Sequence, residues 1–237
     1  MMTRREMLAL GALAFARCES TGSGIDAGRL NVRPSPAESP LGPGLHHLEL
    51  DRETLLYIPE NHRGPLSLLL HGANGHPERI LNTLRAAADE FGVALLAPKS
   101  LDATWDAIHG RFDLDLPFLS AALAVAFRRC AVDLAHLAVT GFSDGATMAI
   151  ALGVANGDFF THVLAFSPGF LIPLRRVGAA RYFLSHGTAD DILPINHSRT
   201  IVRDLRRAHL DVHLREFDGG HTVPPNVAQE AFRWFVS

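Results

Sequence analysis

The sequence predicts an α/β fold, in which helices cover both faces of a mainly parallel eight-stranded sheet. Short apolar segments of strand length alternate with longer helical patterns from about residue 45 to residue 235, an order typical of parallel sheets. The pentapeptide Gly141–Gly145 lies between one such strand and one such helix, where a tight turn at a sheet edge is expected. A length of 237 residues suits one domain of this kind.

The elements are predicted from the spacing of apolar residues and from the Gly- and Pro-containing segments that separate them. The first two strands are separated only by Asp51–Glu53, which favours an antiparallel hairpin. Strands are predicted over residues 45–50, 54–58, 66–70, 93–97, 137–141, 162–166, 181–185 and 211–217, and helices over 77–91, 115–129, 144–155, 196–208 and 226–235.

The N-terminal residues 1–17 resemble a twin-arginine export signal. Arg4 and Arg5 precede an apolar run from Leu8 to Phe15, and residues 14–16 fit a small-x-small cleavage site. We therefore expect export to the bacterial periplasm or the extracellular medium. The alternative is an ordinary N-terminal helix in a cytoplasmic protein.

Residues 18–44 are rich in Gly, Ser and Pro, so we expect a tether that buries little, followed by the α/β domain over 45–237. Cys18 offers a further reading as a lipid anchor, but Arg17 stands where a small residue is wanted. The other cysteine is Cys130, and two cysteines do not indicate a disulfide framework.

Ser143 is the candidate nucleophile. It occupies the centre of the G-x-S-x-G pattern after the strand Leu137–Thr140 and before a helix, the setting of a strained strand-to-helix turn that exposes a serine hydroxyl. The helix directs its positive N-terminal end at the site. The five-residue pattern also occurs by chance in Gly-rich turns, so the partners downstream are needed to support the catalytic interpretation.

Those partners follow in the order acid, then histidine. Asp190 and Asp191 lie just after an apolar strand, and His221 follows Gly219 and Gly220 after the last strand. A serine hydroxyl needs a base to take its proton, neutral imidazole serves near neutral pH, and a carboxylate orients that imidazole. Either aspartate suits the role from its position alone, since aspartates also cap their own loops.

From residue 45 to residue 235 the chain resembles the α/β-hydrolases. The closer resemblance is to esterases related to poly(3-hydroxybutyrate) depolymerases and to phospholipase/carboxylesterase-type enzymes. It is carried by the tryptophan-containing loop at Ala97–Asp106, by Phe112–Leu119, and by His186–Pro194, which is similar to the acid-loop pattern H-G-x-x-D-x-x-hydrophobic-P. That spacing selects Asp190 as the acid, and the resemblance implies ester hydrolysis through an acyl-enzyme.

The same resemblance implies an oxyanion hole. In this fold the loop after the third strand gives one backbone N–H and the residue after the nucleophile gives the other, which assigns Ala73 and Asp144. A phosphate-binding loop at Gly72–Gly75 is the alternative, and the absence of a following Gly-Lys-Ser/Thr argues against it.

The segment 167–180 is too short for a lid domain, so we expect an open site for a small-molecule or polymeric ester. Trp105, Phe142 and Phe170 are candidates for its apolar wall, although Phe142 and Trp105 also suit simple packing. No H-E-x-x-H or Cys/His cluster indicates a metal, and no cofactor is expected. A net charge of −3 gives no basic footprint for nucleic acid, and no internal apolar run suggests a membrane span.

Two other classes remain open from the sequence. One is an acyltransferase or perhydrolase on the same fold, because a fold does not determine a reaction. The other is a catalytically inactive binding protein, against which the complete Ser143, Asp190 and His221 set argues.

Overall fold

The computed structural model describes residues 27–237 as an eight-stranded sheet covered by helices on both faces. The strands are β1 Gly44–His47, β2 Thr54–Ile58, β3 Leu66–Leu70, β4 Ala94–Pro98, β5 Leu137–Phe142, β6 His162–Phe166, β7 Arg181–Gly187 and β8 Val212–Phe217. The helices are α1 Pro77–Phe91, α2 Asp115–Arg129, α3 Asp144–Ala155, α4 Asn196–Arg207 and α5 Pro225–Phe235. Each predicted element is present, with ends shifted by a few residues.

The strand order is β1-β2-β4-β3-β5-β6-β7-β8. The predicted hairpin is confirmed, since β1 pairs antiparallel with β2, and β2 pairs antiparallel with β4. All other neighbours are parallel. Because the chain reverses its strand order at β3, loops following β3 and β5 meet at the carboxyl edge near the centre of the sheet, where such folds bind ligands.

Two apolar cores lie on the two faces of the sheet. One contains α1 and α5, and the other contains α2, α3 and α4. The central strands β3, β4 and β6 are buried along their whole length, which explains their continuous apolar sequences. The connection from residue 167 to residue 180 contains no helix, so this part of the described chain forms no lid domain.

The segment that we expected to be a tether packs, in part, against the domain. Leu30 and Val32 are buried in the core on the α3 side. The Leu30 amide donates to Asn156 Oδ1 at 2.9 Å, and Asn156 Nδ2 donates to the Gly28 carbonyl at 2.7 Å. The expectation of little burial is therefore wrong for residues 28–32. The physical reason is that two apolar side chains, Leu30 and Val32, are enough to hold a short segment against the domain although the surrounding sequence is rich in proline and glycine.

The predictions for residues 1–17 and for Cys18 lie outside the described residues. Within residues 27–237, no helix combines the length and the apolar character needed to cross a membrane.

Candidate active site

Ser143 occupies a strained turn between β5 and α3. Its backbone has φ 56° and ψ −122°, a positive-φ conformation that non-glycine residues rarely adopt. The Ser143 amide donates to the Phe166 carbonyl at 2.9 Å, and the Ser143 carbonyl accepts from the Ala146 amide at 2.9 Å. These bonds to β6 and to the first turn of α3 hold the serine at the carboxyl edge of the sheet.

Two glycines make this turn possible. A Cβ on Gly141 would lie 2.1 Å from the Gly145 carbonyl oxygen, and a Cβ on Gly145 would lie 2.2 Å from the Leu70 carbonyl oxygen. Such distances are far below van der Waals contact, so neither position accepts another residue without moving backbone. The glycines of the G-x-S-x-G pattern are thus required by the close approach of β3, β5 and α3.

Asp190 and His221 form a hydrogen-bonded pair. His221 Nδ1 lies 2.7 Å from Asp190 Oδ2, and the Asp190 side chain is buried whereas that of His221 is 14% exposed. Asp191, the other candidate, is exposed. The structure therefore brings Asp190, and not Asp191, to His221.

Backbone contacts between the loops after β7 and β8 create this pairing. The Ala189 amide donates to the Gly219 carbonyl at 2.9 Å. A Cβ on Gly187 would lie 2.3 Å from that same carbonyl oxygen. The close approach of the two loops explains why glycines precede both the aspartate and the histidine.

The Asp190 carboxylate is held in its ionised form. Burial is the largest single influence and opposes ionisation, but hydrogen bonds from the Leu193 amide, from His221 and from the Ile192 amide outweigh it and lower its pKa. The Leu193 and Ile192 amides donate to Asp190 Oδ1 at 2.8 and 3.0 Å. Oδ2 is left facing His221, which suits a group that orients an imidazole and stabilises its cation.

His186 is a further partner of Asp190 to which the sequence reasoning gave no role. This fully buried histidine places Nε2 2.7 Å from the Leu193 carbonyl and 3.2 Å from Asp190 Oδ2, and its Nδ1 lies 2.7 Å from the Ser198 hydroxyl. Burial lowers the His186 pKa, so a neutral ring donates from Nε2 and accepts from Ser198. The sequence feature that could have indicated this role is the position of His186 at the start of the His186–Pro194 motif.

The loop after β3 packs against Ser143. A Cβ on Gly72 would lie 3.1 Å from Ser143 Cβ, and Ala73 lines the cavity beside it. Asp144 is the first residue of α3, a position whose amide has no acceptor within its own helix. Its side chain accepts a hydrogen bond from Thr104 at 2.7 Å. The two residues assigned to the oxyanion hole thus flank Ser143 on the β3 and α3 sides.

Three hydrogen bonds from the segment Lys99–Trp105 hold that loop in place. The Trp105 indole donates to the His71 carbonyl at 2.8 Å, Lys99 Nζ donates to the Gly75 carbonyl at 2.8 Å, and the Ser100 amide donates to His71 Nε2 at 3.1 Å. Burial lowers the pKa of His71 to about 4, so its ring is neutral near neutral pH and Nδ1 donates to the Gly72 carbonyl at 2.8 Å.

The three apolar wall candidates have different positions. Trp105 is fully buried, and the expectation that it lines a pocket is corrected, because its indole N–H is used to hold the His71 carbonyl. Phe142 lines the cavity beside the site, and its ring centroid lies 4.7 Å from that of His221. Phe170 is 44% exposed and lines a separate groove of about 430 Å³ with Leu171 and Pro194.

The cavity beside the site has a volume of about 180 Å³. It is bounded by the β3 loop, the start of α1, Phe142 and the segment His221–Val223. Among the described residues, the Ser143 hydroxyl makes no hydrogen bond to His221. Catalytic hydrogen bonds are often long or poorly aligned without substrate and tighten when it binds. Within residues 27–237 no group of His, Cys, Asp and Glu side chains is arranged to hold a metal ion.

The chain is similar in sequence to known esterase families. Residues 119–235 match the phospholipase/carboxylesterase family. The chain is 30% identical to NocK of Nocardia uniformis subsp. tsuyamanensis, named an esterase, over 158 residues that cover 62% of this chain and 45% of that protein. It is 27% identical to feruloyl esterase C of Aspergillus oryzae, so named, over 227 residues that cover 77% of this chain and 80% of the relative. The chain thus spans less than half the length of NocK.

Solved structures show the same fold. The carboxylesterase from Mesorhizobium loti superposes with a TM-score of 0.62 at 21% identity, covering 82% of this chain and 99% of that one. The carboxylesterase from Bacillus cereus does so with a TM-score of 0.61 at 19% identity, covering 79% of this chain and 95% of that one. At these identities the likeness shows the fold alone, an open and mostly parallel eight-stranded sheet with helices.

Proposed function

We propose that this member of the α/β-hydrolase superfamily is a carboxylic ester hydrolase that works through an acyl-enzyme intermediate on Ser143. The observation that carries the proposal is the buried Asp190 carboxylate 2.7 Å from His221 Nδ1. His221 lines a cavity together with Phe142, the residue that precedes the strained Ser143 turn. The phospholipase/carboxylesterase family match and the esterase names of the relatives support the same chemistry.

In this mechanism His221 Nε2 takes the proton of the Ser143 hydroxyl as its oxygen attacks the ester carbonyl. Asp190 fixes the imidazole with Nδ1 protonated and stabilises the imidazolium. The Ala73 and Asp144 amides stabilise the oxyanion of the tetrahedral intermediate, a contribution on the order of 3 kcal/mol for each donor. His221 then returns the proton to the leaving alcohol, and water repeats the sequence to release the acid.

The test is a comparison of wild-type protein with Ser143→Ala on short p-nitrophenyl esters. We expect turnover to fall by at least about a thousandfold, leaving only the residual acceleration from the oxyanion hole and binding. Ser39→Ala is the control, because Ser39 is exposed and belongs to no part of the site. Near-wild-type turnover by the Ser143 variant contradicts the mechanism.

A fluorophosphonate probe provides an independent readout. It should label Ser143 in the wild type and in the Ser39 variant but not in Ser143→Ala, and an unlabelled wild-type protein would point to an inactive binding protein. Adding alcohol acceptors to the ester assay separates hydrolysis from acyl transfer by the product formed. Ester panels that include feruloyl and hydroxybutyrate esters identify the acyl preference. The proposal includes polymeric esters as substrates, because the groove at Phe170 is open.

A further inference from the structure

The cavity beside Ser143 is basic. Twelve residues line it, and among them are His71, His76, Arg79 and His221 but no aspartate or glutamate. His71 is neutral near neutral pH, because burial lowers its pKa to about 4. Arg79 therefore supplies the permanent charge on the cavity wall, and an uncompensated charge on the wall of a small cavity raises the local concentration of the opposite ion.

Arg79 has no acidic partner in the part of the chain that the structure describes. Other arginines of the protein pair with carboxylates, as Arg199 does with Glu216 and Arg52 does with Asp115. Arg79 lies in the first turn of α1, and its neighbour Glu78 is not among the residues that line the cavity. Its guanidinium is thus available to a ligand in the cavity.

Lys99 adds a second positive charge behind the loop that forms one wall of the cavity. Its Nζ donates to the Gly75 carbonyl at 2.8 Å. The Asp190 carboxylate lies on the far side of His221 and is occupied by that ring and by the backbone amides of its own loop. The permanent charge among the residues that line the cavity is therefore that of Arg79, and the Asp190 carboxylate is not part of the lining.

The size of the cavity limits the ligand. A volume of about 180 Å³ is below the roughly 300–1,000 Å³ of sites for drug-sized ligands. It suits a short chain rather than a long acyl tail. A guanidinium binds a carboxylate with two parallel hydrogen bonds, which gives orientation as well as attraction.

We propose that the preferred substrates are short esters that carry a free carboxylate, and that Arg79 is the residue that selects them. This inference rests on the proposed ester hydrolysis at Ser143. The carboxylate lies either on the acyl chain or on the leaving alcohol, and the two sources are distinguished by the substrates used in the test.

The test uses pairs of esters that differ only in charge. The acyl pair is the p-nitrophenyl ester of adipic acid with its other carboxyl free or methylated. The leaving-group pair is the acetate of para-hydroxybenzoic acid and the acetate of its methyl ester. For the wild type we expect kcat/KM to be about tenfold higher for the free carboxylate in one pair, and to converge on the neutral value at high salt as the charge is screened.

Arg79→Gln should lower kcat/KM for that free carboxylate by about tenfold, mainly through KM, and change the neutral esters by less than about twofold. Arg79→Lys should keep part of the preference, because it keeps the charge and loses the paired geometry. Arg203→Gln is the control, since Arg203 is an exposed residue of α4 that pairs with Asp204.

Each outcome has one meaning. Equal effects of Arg79→Gln on charged and neutral esters, or no effect on either, overturn the inference while leaving ester hydrolysis intact. A wild-type protein that shows no Ser143-dependent turnover of the neutral esters contradicts the proposed function, and the inference falls with it.

Discussion

At the scale of single residues, the difference between Asp190 and Asp191 follows from burial and hydrogen bonding. Asp190 is buried and lies 2.7 Å from His221, with two loop amides on its other oxygen. Asp191 is exposed. Adjacent side chains in an extended or turning loop point in different directions, so only one of the two can serve the histidine.

We therefore expect Asp190→Asn to lower kcat by up to about ten-thousandfold, because an amide favours the wrong tautomer of His221. Asp191→Asn should leave kcat within about twofold and change the free energy of unfolding by less than about 0.5 kcal/mol, as surface substitutions do. Steady-state kinetics and urea denaturation of both variants provide the measurement. A large loss of kcat in Asp191→Asn, together with wild-type kcat in Asp190→Asn, would reverse the assignment.

At the scale of elements, the close contact of β3, β5 and α3 determines the nucleophile turn. A Cβ on Gly145 meets the carbonyl oxygens of Leu70 and His71 at 2.2 and 2.5 Å. These are backbone atoms of β3 and of the loop that carries Ala73, so they cannot move aside without displacing the proposed oxyanion donor. The fold and the geometry that we propose for catalysis are coupled at this point.

Gly145→Ala should accordingly destabilise the protein by at least about 3 kcal/mol through overpacking, and lower kcat in whatever fraction folds. Gly42→Ala is the matched control, because a Cβ at Gly42 meets nothing within 4 Å. Thermal unfolding and kcat of the two variants are the readouts. Equal stability of both variants would show that α3 shifts freely, contrary to the packing described.

The sequence was sufficient for the elements and for the pairing of Asp190 with His221, because those depend on local patterns and on a spacing resemblance. It could not reveal the role of Trp105, whose indole holds the His71 carbonyl across 34 positions of sequence. Nor could it reveal His186 behind Asp190 or Arg79 in the cavity. Such contacts depend on the packing of elements that are distant in sequence. The local sequence around an aromatic or charged residue does not predict the direction in which its side chain points.

At the scale of the whole molecule, three buried histidines link stability to pH, because burial lowers the pKa of His71, His162 and His186. Burial is the main cause that lowers the pKa values of His71 and His162 to about 4, against about 6.5 in an unfolded chain. Between these values the unfolded chain binds protons that the folded chain does not. The contribution of each of these two histidines to the free energy of unfolding is therefore fully present above about pH 6.5. It is lost as the pH falls to about 4, and amounts to up to about 3 kcal/mol for each histidine.

His162→Gln should reduce the loss of stability between pH 7 and pH 4.5, because it removes one of these three histidines. The exposed His109 provides the control, and His109→Gln should leave the pH dependence as in the wild type. Urea denaturation at several pH values measures the slope directly. An unchanged slope in His162→Gln would mean that other groups dominate the acid response.

The segment 28–32 connects the start of the described chain to the helix behind the nucleophile. Leu30 and Val32 are buried, Asn156 at the end of α3 bonds to Gly28 and Leu30, and Arg29 pairs with Asp158. Burying a leucine or a valine stabilises a protein by roughly 1.5–3 kcal/mol. The segment thus contributes stability from the far end of α3, whereas Ser143 precedes the first residue of that helix.

A chain that begins at residue 45 should have a free energy of unfolding at least about 3 kcal/mol lower than that of a chain that begins at residue 27. Asn156→Ala in the full chain should reproduce part of that loss, because it removes the side chain that bonds to both Gly28 and Leu30. At low temperature all three folded proteins should retain the same kcat, since the segment is remote from the cavity at Ser143. Equal stability of the two shortened chains would contradict the contribution assigned to Leu30 and Val32.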